Sequence, residues 1–185
     1  MELQEKVLNA LNASVEEAVT TTFSAEHKIV DGDLKDISTT SVICSIGFGG
    51  SIDGSVSICL SDDGACRLVS KMIGMDIEEM CPDVLDGSGE ALNIIVGGLK
   101  RRLAEQGHSF EIGVPTVIQG QKMHVTKPGE LMVIRKCLVF EQFEFGITVF
   151  FKEHESGEDK KQVTEKAQSN AGDMLSNLIQ DENAG

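Results

Sequence analysis

The residues with the most chemistry to offer lie in the run Asp86-Gly87-Ser88-Gly89-Glu90-Ala91-Leu92-Asn93-Ile94-Ile95-Val96-Gly97. At roughly 100° per helical residue, Asp86, Glu90, Asn93 and Gly97 project from one side as a polar ladder. One carboxylate and one amide, three residues apart on a rigid rod and facing solvent, can address a partner. The same spacing also describes an ordinary solvated helix face, and spacing alone leaves both readings open. Gly97-Gly98 points to more than solvent, because each glycine costs roughly 1 kcal/mol against Ala in a helix interior. A pair of them implies a packing contact or a close approach by another surface.

Other chemistries lack their residues. The four histidines, His27, His108, His124 and His154, are far apart and form no H-E-x-x-H or His/Cys pairing at metal spacing. No G-x-S-x-G elbow occurs, nor any G-x-G-x-x-G. Gly47-Phe48-Gly49-Gly50 is not followed by Gly-Lys-Ser/Thr or by a helix start, so it reads as a hairpin rather than a phosphate loop. A reaction run from this chain would borrow its metal or its activated group from a partner.

The ladder needs a long helix to carry it. Leu92, Ile95, Val96, Leu99 and Leu103 supply the apolar stripe of a core-facing helix over 82–106, and Pro82 suits its first turn. The rest of the chain must bury that stripe. With 185 residues, 41% of them hydrophobic, there is enough chain for one domain with a core, or a domain plus a tail. Without Trp or Tyr the core is aliphatic, filled in by Phe and Met. A net charge of -14 repels phosphate backbones and anionic lipid, which argues against nucleic acid and membrane as partners. The five cysteines are scattered and never in C-x-x-C, so they read as small buried hydrophobes in a reducing compartment. With no signal peptide or transmembrane run in the sequence, the cytoplasm is the expected address.

Helical spacing of Leu3, Val7, Leu11, Val15 and Val19 predicts an opening helix over 3–22. Residues 27–36 read as a polar stretch with a turn at Asp31-Gly32-Asp33, and 40–46 and 54–60 as strands joined by the glycine-rich loop. Ser61-Asp62-Asp63 caps a helix over 62–72 that stops at Gly74. Further strands are expected at 110–119, 123–126 (the weakest), 132–140 and 143–151. The fold class is therefore α+β: an antiparallel sheet packed by helices, including the long one with the ladder. Residues 1–152 form the domain, and 153–185 a charged linker followed by an amphipathic helix from Val163 to Ile179.

These residues resemble the CheX family of chemotaxis phosphatases, single-copy relatives of CheC. The family's D-x-x-x-E-x-x-N helix is matched by Asp86 to Asn93. Asn9 to Phe23, Gly54 to Gly74 and Gly113-Val114-Pro115-Thr116-Val117-Ile118-Gln119-Gly120 resemble its opening helix, strand-helix unit and post-helix strand. The likeness spans 3–151 and contains one E-x-x-N helix, where CheC-type proteins carry two. It implies an enzyme hydrolysing the aspartyl phosphate of a CheY-like response regulator, ending a two-component signal. Asn93 would orient the attacking water, since an amide is no base at neutral pH, and Glu90 would pair with the regulator's active-site lysine. Asp86 would help docking or merely stabilise the helix start; Ile94 and Gly97 would be an apolar contact and a close approach. No cofactor is expected in this chain, with Mg2+ on the regulator, and a homodimer joined by edge strands is implied. The alternative is a non-catalytic module docking on a regulator or flagellar-switch protein; a structural dimerisation domain, with Gly97-Gly98 packed on its own core, is a third reading.

Overall fold

Strand β7 (Glu144–Glu153) buries seven residues in a row, Phe145 to Phe151. It is an interior strand of the sheet, with neighbours on both edges. These are β6 (Met132–Phe140) and β3 (Ile52–Leu60), both antiparallel to it. The sheet continues through β6 to β1 (His27–Asp31) on one side and through β3 to β2 (Val42–Gly50) on the other. The far edge of β2 is shared by two short strands, β4 (Phe110–Ile112) and β5 (Thr116–Gln119). In this computed structural model the described residues are 2–23, 26–32, 39–126 and 129–154. The chain divides into two compact units, Met1–Glu153 and His154–Gly185, and every helix and strand described belongs to the first. The linker and amphipathic helix expected beyond residue 154 lie outside the described residues.

Phe145, Ile147, Val149 and Phe151 of β7 share one hydrophobic cluster with Val56, Ile58 and Leu60 of β3 and with the inner faces of three helices. Helix α3 (Pro82–Ala104) packs on β2, β4 and β5, and α1 (Leu3–Ala18) and α2 (Asp62–Ile73) pack on α3. The apolar stripe of α3 (Leu92, Ile95, Val96, Leu99, Leu103) is buried throughout. The α2 caps are those the sequence signals: Ser61 Oγ accepts from the Gly64 N–H, and Gly74 takes a left-handed φ of 70°. The α+β expectation holds.

Several local expectations do not. Residues 27–31 form β1 rather than a polar turn, because Ile29 packs on the core and Asp31 accepts from the Lys136 ammonium on β6. The glycines read as a hairpin loop lie within strands, and β2 and β3 meet with only Ser51 between them. At Gly54 the Phe150 carbonyl fills the space a Cβ would take, so glycine lets β3 and β7 pair closely. The strand expected over 110–119 breaks at 113–115, where Pro115 has no N–H to donate and the Gly113 N–H reaches the Gly47 carbonyl. Residues 123–126 form no strand. The opening helix ends its α form at Ala18 and widens into a π turn, Val19–Phe23. The Thr20 and Thr21 hydroxyls donate to the Glu16 and Glu17 carbonyls there and loosen the helical ladder.

Candidate functional site on helix α3

Glycines along α3 bring its neighbours close. At Gly87 a Cβ would meet the Val69 methyls of α2 at 2.8 Å, and at Gly89 the Val117 side chain of β5 at 3.2 Å, with Pro115 just behind. At Gly98 it would meet the Ser14 Cβ of α1 at 3.1 Å. Gly97 has nothing within 4 Å. The structure thus divides the glycine pair: Gly98 serves internal packing, while Gly97 leaves a bare patch on the open face.

That face carries the ladder. Asp86 and Glu90 are exposed, and Asn93, Ile94 and Gly97 are half-buried. The Asn93 amide nitrogen lies 3.5 Å from a Glu90 carboxylate oxygen, at the outer limit of a hydrogen bond. All five residues singled out in the sequence fall on one continuous strip. Residues 90, 93, 94 and 97 follow one another at no more than a turn's spacing, across about two turns of the helix.

The charges around the strip are unevenly committed. Towards the C-terminal end the cations of α3 are tied inward: Lys100 to Glu111 of β4 at 2.7 Å, and Arg102 and Arg101 to Glu17 of α1. Hydrogen bonds from Arg102, and next from Arg101, hold the Glu17 carboxyl below the usual carboxylate range. The N-terminal half carries Asp83, Asp86 and Glu90, so a docking partner meets negative charge there.

The strip holds an acceptor-only carboxylate and a neutral amide that both donates and accepts. It holds no nucleophile. Among the described residues no group of three or more His, Cys, Asp or Glu could hold a metal ion. Cys66 of α2 is buried, and burial, with Asp62 adding, raises its thiol above the ordinary value. Two open grooves of about 610 and 670 Å3 lie elsewhere, around His27 and Phe143 and around Arg67 and Met75, and include no residue of the strip. A convex helix face of this kind suits a macromolecular partner rather than a small molecule. Sequence reasoning missed one element of the surroundings, the β4–β5 link at Gly113-Val114-Pro115, which it read as strand; Pro115 was the signal that could have marked the break.

The family model described as chemotaxis phosphatase CheX matches residues 42–136. A relative named CheY-P phosphatase CheX, from Thermotoga maritima, is 27% identical over 155 residues, covering 81% of this chain and 98% of its own. The crystal structure of a chemotaxis protein CheX from Vibrio vulnificus superposes with a TM-score of 0.70 at 27% identity, over 82% of this chain and 100% of that one. A Borrelia burgdorferi structure described as a CheX-CheY-BeF3-Mg2+ complex shares the fold with a TM-score of 0.64 at 20% identity, over 83% and 99% of the two chains.

Proposed function

The chain belongs to the chemotaxis phosphatase CheX family, and on that premise we propose that it hydrolyses the aspartyl phosphate of a CheY-like response regulator with Asn93 and Glu90. The reading is carried by one observation: the exposed carboxylate and the amide, 3.5 Å apart, occupy the open face of a helix whose other sides are packed.

The acyl phosphate of such a regulator is already reactive, and the regulator holds the Mg2+ that offsets phosphoryl charge. What it lacks is a water held in line with the leaving oxygen. The Asn93 amide oxygen accepts a hydrogen bond from that water and turns a lone pair toward phosphorus. Attack forms the new P–O bond as the bond to the aspartyl oxygen breaks. Phosphate and a free carboxylate result, and the water's proton leaves with the phosphate or to solvent. The gain is in orientation, not proton abstraction, since the amide is no base. Glu90 binds a cationic group of the regulator, its active-site lysine, and so sets the register of the two surfaces. Asp86 adds negative charge to the docking face, while Ile94 and the bare backbone at Gly97 let the surfaces approach.

The substrate is a signalling protein of the cytoplasm, and among the described residues no helix is long and apolar enough to cross a membrane. Two copies join through edge strands; among the described residues β1 is an edge strand of the sheet, paired with β6. Light scattering at micromolar concentration tests this, and a monomer would remove it.

The activity is tested by the decay of a phosphorylated CheY-like regulator from the same genome, alone, with this protein, and with Asn93→Ala. Faster decay that disappears in the variant supports the assignment. Binding without acceleration would make the protein a docking module, and neither effect would remove the regulator as its partner.

A further inference from the structure

Val114 is 83% exposed, the most exposed large hydrophobic side chain among the described residues. It is also held firmly. On one side the Gly113 N–H donates to the Gly47 carbonyl of β2 at 2.8 Å, and on the other Pro115 rests on α3 at Gly89. Together these contacts leave an apolar side chain pointing into solvent from an anchored backbone. A single exposed valine usually needs no explanation; this one lies beside the strip.

The course of the chain shows where. Glu111 of β4 is bonded to Lys100 of α3, and Pro115 and Val117 stand at Gly89. The segment from 111 to 117 therefore runs antiparallel to α3 along about 16 Å of its axis. Gly113 and Val114, in the middle of that run, pass the intervening turns on the same flank. At roughly 100° per residue, the flank that presents Gly89 and Lys100 also presents Asn93 and Val96. Val96 is fully buried, which leaves Asn93 as the accessible neighbour of the link. Half-buried Ile94 stands on the opposite side of the Glu90–Asn93 pair. The polar pair is thus bordered by one apolar group on each flank, an arrangement that excludes water from a polar contact once a partner is seated.

We propose that the β4–β5 link, through Val114, is a second docking contact for the response regulator, seating on an apolar patch beside the regulator's phosphorylation site. This rests on the regulator being the substrate. Val114 touches the partner's surface and not the reacting atoms, so it sets affinity and the choice of regulator while Asn93 sets the rate of the bound complex.

Steady-state dephosphorylation of the regulator, charged with acetyl phosphate, tests it with the full chain and with Val114→Asp and Val114→Ala. For Val114→Asp, KM should rise on the order of tenfold, as for loss of one well-seated apolar anchor, with kcat within about twofold of wild type. Val114→Ala should raise KM by less. An unchanged KM in Val114→Asp overturns the proposal, as does a fall in kcat alone. Light scattering is run on the same samples: if Val114→Asp dissociates a dimer and KM follows the dissociation, the occupant is a second copy and the proposal fails. If the wild type accelerates nothing, direct binding of the phosphorylated regulator decides. Weaker binding by Val114→Asp keeps the contact and removes the catalytic reading; equal binding, or none by either protein, removes the contact.

Discussion

Ser14 of α1 occupies the space a side chain at position 98 would need, its Cβ 3.1 Å from where the new Cβ would stand, while the adjacent Gly97 faces open space. Two neighbouring glycines on one helix thus answer to different demands. Gly98→Leu should destabilise the fold by about 1–3 kcal/mol, through overpacking between α1 and α3. Gly97→Ala should leave the fold as stable or raise it by about 0.5–1 kcal/mol, the ordinary gain of Ala over Gly in a helix. Urea titration of both variants measures the contrast, and equal losses would show that both glycines are packing residues.

Glu90 is assigned a charge-pairing role, so its charge matters more than its shape. Glu90→Gln keeps the size and removes the charge. KM for the phosphorylated regulator should rise several-fold, and its dependence on salt should flatten. A variant as salt-sensitive as the wild type would place the partner's cation elsewhere.

The Glu17 clasp predicts a pH dependence of stability with a definite sign. Arg102 and Arg101 depress the Glu17 carboxyl from its ordinary 4.5. Its contribution is therefore present above that value and lost as pH falls through the lowered one. Glu17→Gln should melt at a lower temperature than wild type near neutrality. The gap should close as the pH falls below that ordinary value and through the lowered one. A gap that widens in acid would reverse the assignment.

Thiol reactivity should follow burial. The Cys44 thiol is pushed up to about 12 by burial, with Cys59 adding to it, and Cys66 is raised in the same direction. Iodoacetamide at mildly alkaline pH should spare both in the native protein and label both after unfolding. Peptide mass spectrometry reads the outcome, and fast native labelling of Cys44 would show that β2 opens.

The sequence marked those parts of the fold where a single element speaks for itself. Helix α3 carried its stripe and its Pro82 start, α2 its Ser61 and Gly74 caps, and β6 its full extent from Met132 to Phe140. What it hid depends on partners distant in the chain. His27–Asp31 looks like a polar turn until β6 pairs with it. Gly47 to Gly54 looks like a loop until the neighbouring strands are seen to need glycine's narrowness at Gly50 and Gly54. The strip on α3 was legible because helical periodicity alone groups Glu90, Asn93 and Ile94. Val114 was not, because its nearness to Asn93 follows from a strand break and from which turn of α3 the link lies against.

The close approaches at Gly87, Gly89 and Gly98 come from three different elements and are spread along about half of α3. Held by α2, β5 and α1 at once, the helix has little room to roll or slide. The proposed docking face exists in one arrangement before any partner arrives, so little conformational entropy is lost on its side when the complex forms. Association should then be close to a rigid-body encounter for this protein. On the proposed assignment, any adjustment that seats the phosphoryl group falls to the side chains of Glu90 and Asn93 and to the regulator itself.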